Sequence, residues 1–179
     1  MSLSKTLLAT ALLATGAFTL TATAATSPAT ATFQVLMTIQ KACTVAAGAA
    51  SNINLGTVDS TATNTTGSNT INVTCSKTTP YYVGLAPSAD NGGTTTGSGS
   101  MSTADALAGN TDTVPYQLSS TPGPAGTIWG NTATSTTLGN GIGGTGNGLE
   151  QPLTVYATAA SANFTPDNYA DTVTVNVNF

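Results

Sequence analysis

The feature that most constrains the fold is an apolar side chain at every second position, in segment after segment. Phe33, Val35, Met37 and Ile39 are spaced by Gln34, Leu36 and Thr38. Ile53 and Leu55 alternate with Asn, and Ile71, Val73 and Cys75 with Asn72 and Thr74. Tyr81, Val83 and Leu85 follow the same rule, as do Val114, Tyr116 and Leu118, then Leu153, Val155 and Ala157. Val173, Val175, Val177 and Phe179 close the series. A period of two puts these side chains on one face of a strand. No stretch carries the 3.6-residue stripe of an amphipathic helix. Asn91-Gly92, Asn140-Gly141 and Asn147-Gly148 supply turn chemistry between the runs. Seven or more short strands without helices predict an all-β sandwich or barrel. The absence of a fixed repeat disfavours a solenoid.

Two polar, Gly-rich segments interrupt this pattern, residues 91–102 and 132–148. The second resembles a phosphate-binding loop only in its glycines. It lacks the Lys-Ser/Thr ending and a following helix, so it reads as a flexible surface loop.

Charge is scarce: the 179 residues include three Lys, seven Asp or Glu, no His and no Arg. Without His, Ser-His-Asp and Cys-His nucleophile systems are impossible, and so are His-containing zinc sites. Three Lys and a net charge of -4 leave no electrostatic footprint for nucleic acid. No catalytic residue, metal ligand or cofactor is expected, and the chain does not read as an enzyme. With 40% hydrophobic residues it can bury a core. Aromatics are only 6%, so that core rests on Val, Ile, Leu and Ala, and the 38 Thr with Ser, Asn and Gly must cover the surface.

The first 24 residues read as a secretory signal peptide. Lys5 gives the positive start, residues 7–20 an apolar stretch, and Ala22-Thr23-Ala24 a small-x-small cleavage signal. A membrane anchor is the competing reading, but the run falls short of the roughly 20 apolar residues a span needs. Cleavage after Ala24 leaves 155 residues, and losing Lys5 takes the net charge from -4 to -5. In an oxidising compartment Cys43 and Cys75, the only two cysteines, are expected to form a disulfide. The loop-entropy model makes it worth roughly 3–4 kcal/mol. A separation of 32 residues and the lack of His argue against a redox or metal pair.

The strands at the two termini are placed unusually. The strongly apolar run over residues 31–39 follows soon after the cleavage site, behind a Thr/Ala/Ser/Pro lead. The last run, residues 172–179, ends at the terminus, with no later strand to cover it. As an edge it would offer open backbone groups and an apolar face to another chain. Pairing the first run with the last run of another molecule is β-strand addition, and such a contact propagates into a filament. The alternative is that residues 31–39 pair within their own domain.

The closing stretch Tyr169-Ala170-Asp171-Thr172-Val173-Thr174-Val175-Asn176-Val177-Asn178-Phe179 resembles the C-terminal signature of the spore coat protein U domain family. That family includes the major pilins of archaic, Csu-type chaperone–usher pili. Phe33-Gln34-Val35 to Ile39, followed by Ala42-Cys43-Thr44-Val45, resembles its donor strand and first cysteine. Leu55-Gly56-Thr57-Val58, then Ile71-Asn72-Val73-Thr74-Cys75, resembles its next strand and second cysteine. Pro115-Tyr116-Gln117-Leu118 and Ile128-Trp129-Gly130 resemble its Tyr-x-Leu and Trp-Gly segment. One departure is Asn168, where the family has Gly before the Tyr; Asn tolerates the left-handed conformation such a turn uses.

The resemblance implies an incomplete immunoglobulin-like β-sandwich, completed by a strand from a periplasmic chaperone and then from a neighbouring subunit at an outer-membrane usher. It divides the chain into a signal peptide (1–24), a donor-strand extension (25–40) and a pilin domain (41–179). Phe33, Val35, Met37 and Ile39 are the expected donor plugs, and Val173, Val175, Val177 and Phe179 the expected acceptor edge. The Phe179 carboxylate is a candidate anchor for basic chaperone residues. The function implied is a structural pilus subunit serving adhesion and biofilm formation at the cell surface, with other subunits, chaperone and usher as partners.

A second reading is a secreted carbohydrate-binding module, with Trp129 and the pair Tyr81-Tyr82 as a stacking face; core packing is the alternative for these rings. A Thr-rich ice- or surface-binding protein is a third, but its Thr residues lack a regular period. Tyr169 is expected either as a corner Tyr bonding nearby backbone or as a core aromatic. Glu150, the only Glu, reads as a solvated or turn-capping carboxylate rather than half of a glycosidase pair. Asn64, Asn72 and Asn163 begin sequons expected by chance in so Thr- and Asn-rich a chain.

Overall fold

A computed structural model describes residues 27–104 and 109–179; the expected signal peptide, residues 1–24, lies outside them. The alternating runs become strands of two antiparallel sheets. In chain order these are β1 (Cys43–Ala46), β2 (Thr63–Cys75), β3 (Pro80–Pro87), β4 (Ser98–Thr103), β5 (Thr113–Ser119), β6 (Ile142–Thr145), β7 (Glu150–Ser161), β8 (Tyr169–Ala170) and β9 (Val173–Asn178). The larger sheet has the order β1-β2-β7-β5-β4-β8, the smaller β6-β3-β9. This is an all-β sandwich, one of the two architectures the patterning predicts, and of the immunoglobulin-like kind that the resemblance implies.

The apolar alternates of both sheets meet in one core. Ile71 and Val73 of β2, Tyr116 and Leu118 of β5 and Val155 of β7 face Tyr81, Val83 and Leu85 of β3. The opposite face of β2 and β7 pairs hydroxyl with hydroxyl, Thr66 against Thr158 and Thr70 against Thr154. Thr66 and Thr70 are exposed there, while Thr158 is buried with its hydroxyl 3.0 Å from that of Thr66. Trp129, 1% exposed, clasps the two layers. Its backbone N–H donates to the Leu118 carbonyl at 3.1 Å, and its indole Nε1–H to the Val83 carbonyl at 2.8 Å. The Cys43–Cys75 disulfide joins β1 to β2 at residues directly opposite in register.

Three expectations need correction. Ile53 and Leu55 are not in a strand: residues 52–59 have no regular secondary structure. The segment instead crosses β2, held by the Asn69 amide, which donates to the carbonyls of Ala50 (3.0 Å) and Asn52 (2.8 Å). Gly67 permits the crossing, since a Cβ there would lie 2.8 Å from the Asn54 carbonyl oxygen. Second, the Gly-rich 132–148 segment is not simply a loop. It contains β6, which pairs with β3. Gly144 makes room for the Tyr81 ring, whose Cζ would sit 2.4 Å from an added Cβ. Third, Asn168 does not use the left-handed region; among the described non-glycine residues, only Asn64 and Thr78 have positive φ.

The segment before Ile39 forms a unit by itself. Its described residues, 27–38, carry no strand and are exposed. The expected strand over residues 31–39 is therefore absent from the isolated chain. An extended segment without a partner strand has no ladder to join.

Candidate functional site: an open groove beside the last strand

β9 is built by Val-Thr-Val-Asn-Val-Asn and pairs on one side with β3, Val173 opposite Pro87, Val175 opposite Leu85 and Val177 opposite Val83. This register turns all three valines toward the core, where they remain only half-buried. On its other side β9 has no strand partner among the described residues. Beside that edge runs a groove of about 420 Å³. Its floor is the inner face of the larger sheet, with Ile71, Tyr116, Leu118, Val155 and Ala157. Val173 and Val175 form one wall, Ile53 and Leu55 the other. An apolar trough along an unpaired strand edge offers two kinds of contact: backbone groups for a ladder, and sockets for alternate side chains.

One end of the groove is polar. The chain passes from β8 to β9 through Asp171 and Thr172, both of which line the groove. Tyr116 donates its hydroxyl to Asp171 Oδ2 at 2.6 Å, and the Asn91 amide donates to Oδ1 at 2.8 Å. Burial, then the hydrogen bond to Asp171 and its negative charge, pushes the Tyr116 phenol far above its ordinary range. Beyond this end lies a second compartment of about 660 Å³, which shares Ile53, Leu55, Met101 and Tyr169 with the first. Tyr169 stands at the join as a corner Tyr: its hydroxyl donates to the Thr165 carbonyl at 2.7 Å and accepts from Asn110 at 3.0 Å. Asp112 accepts from the Thr165 N–H (2.9 Å) and hydroxyl (2.7 Å), bonds that hold its carboxyl below the usual range.

The expected site residues fall into two groups. Val173 and Val175 line the groove, Val177 shares their inward face of β9 beyond its lining, and Phe179, just past β9, is 44% exposed. Phe33, Val35, Met37 and Ile39 are 88%, 87%, 81% and 77% exposed, unusual for large apolar side chains at regular spacing. Sequence reading missed the groove's floor and its polar end. Tyr116 and Asp171 were both visible in the motifs, but 55 residues separate them and only the folded register brings them together. The aromatic face expected of a carbohydrate module does not form, because Trp129 and Tyr81 are 1% and 2% exposed. Glu150 is exposed.

Fold and groove define an immunoglobulin-like sandwich in which the β9 edge lies open beside an apolar groove. The model of the Spore Coat Protein U domain matches residues 29–176, and the chain belongs to that family. Among solved structures it is similar to a chain of the CsuC–CsuE chaperone–tip adhesion subunit pre-assembly complex from the archaic chaperone–usher Csu pili of Acinetobacter baumannii. The identity is 19% and the TM-score 0.46, over 79% of this chain and 41% of that one. No curated protein is matched.

Proposed function

We propose that this protein is the structural subunit of a surface pilus assembled by donor-strand complementation. The single observation that carries the reading is the free edge of β9 above an apolar groove. The complementary feature is the exposed period-two set Phe33, Val35, Met37 and Ile39. In this reading residues 1–24 direct export, residues 25–40 are the donor extension and residues 41–179 the acceptor domain. The donor of one copy lies along β9 of the next and fills its groove. Burying four large side chains contributes roughly 6–12 kcal/mol before ordering costs. The backbone ladder fixes direction and spacing. A head-to-tail contact of this kind does not close on itself, so it grows a filament.

Before assembly the groove needs a substitute strand, which is the role assigned to a periplasmic chaperone, with the Phe179 carboxylate as its anchor. An outer-membrane usher exchanges that strand for the next subunit's donor. Filament display at the cell surface, for adhesion and biofilm formation, completes the proposal and rests on family membership.

The test is to produce residues 25–179 with and without residues 25–40 and measure assembly by sedimentation. The longer chain is expected to polymerise and the shorter to stop as a monomer that needs an added strand. A longer chain that stays monomeric without a chaperone, with a truncation that merely unfolds, would contradict strand donation.

A further inference from the structure

Strand donation does not by itself say which donor residue meets which residue of β9. Resting on that reading, we propose that the donor runs antiparallel to β9 in one register, Phe33 opposite Phe179 and Ile39 opposite Val173, locked by an ion pair between Lys41 of one copy and Asp171 of the next.

Side-chain parity supplies the first argument. Residues 33, 35, 37, 39 and 41 share one face of an extended segment. The core face of β9 is Val173, Val175 and Val177, as their pairing with Pro87, Leu85 and Val83 establishes. Antiparallel pairing sets directly opposite residues on the same face. Four donor side chains then meet four acceptor side chains: Phe33 with Phe179, Val35 with Val177, Met37 with Val175 and Ile39 with Val173. Two residues beyond Ile39 comes Lys41, and two residues before Val173 comes Asp171.

Charge supplies the second argument. Asp171 lines the groove alongside Val173 and Val175, with its carboxylate turned to Tyr116 on the floor. Tyr116 and Asn91 occupy one site on each of its oxygens. A carboxylate offers about four acceptor sites, so an incoming ammonium finds room. Lys41 is exposed, and apart from Lys5 in the signal segment the chain has only one other cation, Lys77. Placed at the polar end of the groove, the pair lies beside already hydrogen-bonded groups, where opposite charges facing each other across strands are favourable.

Competing registers lose both end contacts. A slip of two residues sets Lys41 against Val173, an ammonium on an apolar wall, or Ile39 against the Asp171 carboxylate; each leaves a charge desolvated and unpaired. A slip of one turns the whole apolar set outward. A parallel donor carries Lys41 to the Phe179 end and faces Asp171 with Ala31 or its neighbours, none of them cationic. Only the proposed register joins an aromatic pair at one end to an ion pair at the other.

The test uses residues 25–179 and follows polymer formation at low salt. Lys41→Asp and Asp171→Lys are each expected to slow or weaken assembly about tenfold, and the double exchange to recover most of it. Asp171→Asn keeps an acceptor for Tyr116; it is expected to lose about threefold and to lose salt sensitivity. If Asp171→Lys fails to fold, Lys41→Asp, Asp171→Asn and disulfide trapping still decide. Val35→Cys with Val177→Cys is expected to cross-link neighbouring copies in the polymer, and Val35→Cys with Val173→Cys is not. Normal assembly of Lys41→Asp, or trapping of position 35 at 173 or 175, overturns the register while leaving strand donation intact. A Val35→Asp chain that still polymerises overturns donation itself.

Discussion

The two strands flanking β3 are both sheet edges, yet they are built in opposite ways. β6 has four residues, Ile-Gly-Gly-Thr, and Gly143 and Gly144 lie against the rings of Tyr82 and Tyr81. β9 has six residues with a valine at every inward position, beside the apolar groove. Short length and absent side chains blunt an edge against unwanted pairing. A longer, apolar edge over an open trough invites it. The contrast teaches that exposure of β9 is selective, since the same small sheet protects its other side.

The largest expected effect breaks the contrast outright. Val175→Asp places a charge on the groove wall and should abolish polymer formation, because an unpaired carboxylate there is desolvated by the donor. Thr145→Asp, on exposed β6, should leave assembly unchanged and shift stability by no more than about 0.5 kcal/mol. Equal effects on sedimentation would mean that the two edges do not differ in role. Next in size is the disulfide. Replacing Cys43 and Cys75 by Ala should cost roughly 3–4 kcal/mol in denaturant unfolding, because β1 would lose its covalent tie to β2.

Gly144→Val sharpens the comparison from the protected side. A Cβ at that position would collide with the Tyr81 ring. The expected cost is about 1–3 kcal/mol of stability, with β9 still able to accept a strand in whatever fraction remains folded. The smallest effects are in pH. The Tyr116 phenol is raised in the folded state, so its contribution is complete below about pH 10 and is lost as pH climbs toward the folded value. Alkaline unfolding should therefore begin later in Tyr116→Phe than in the parent. Asp112 has a lowered folded value, so its contribution holds above about pH 4 and fades in acid. Asp112→Asn should flatten the acid limb of a stability–pH curve.

Much of this architecture was legible in the chain. Five of the alternating runs became β2, β3, β5, β7 and β9, because burial on one face imposes a period of two. The remaining elements were hidden for physical reasons. β6 offers only Ile142 as an apolar signal, and its place depends on tyrosines 60 residues away in sequence. β4 and β8 gain their strand character from neighbours, Ser102 opposite Ala170 and Thr103 opposite Tyr169, not from composition. Ile53 and Leu55 show the reverse failure. Their alternation is real and both pack on the core, but Asn69 and Gly67 hold them across β2 instead of beside it. The edge valines were readable as a set. The Tyr116–Asp171 contact at the groove's end was not, because it exists only once β5 and the β8–β9 crossing are folded together.

The central claim is that the apolar segment of one copy completes β9 of another, and mixing tests it most directly. A donor-blocked chain, Val35→Asp with Met37→Asp, keeps an open groove. An acceptor-blocked chain, Val175→Asp, keeps an intact donor. Each alone should remain monomeric in sedimentation, and an equimolar mixture should give a discrete heterodimer and nothing larger. Polymers from either variant alone, or a mixture that stays monomeric while both chains remain folded, would contradict the account.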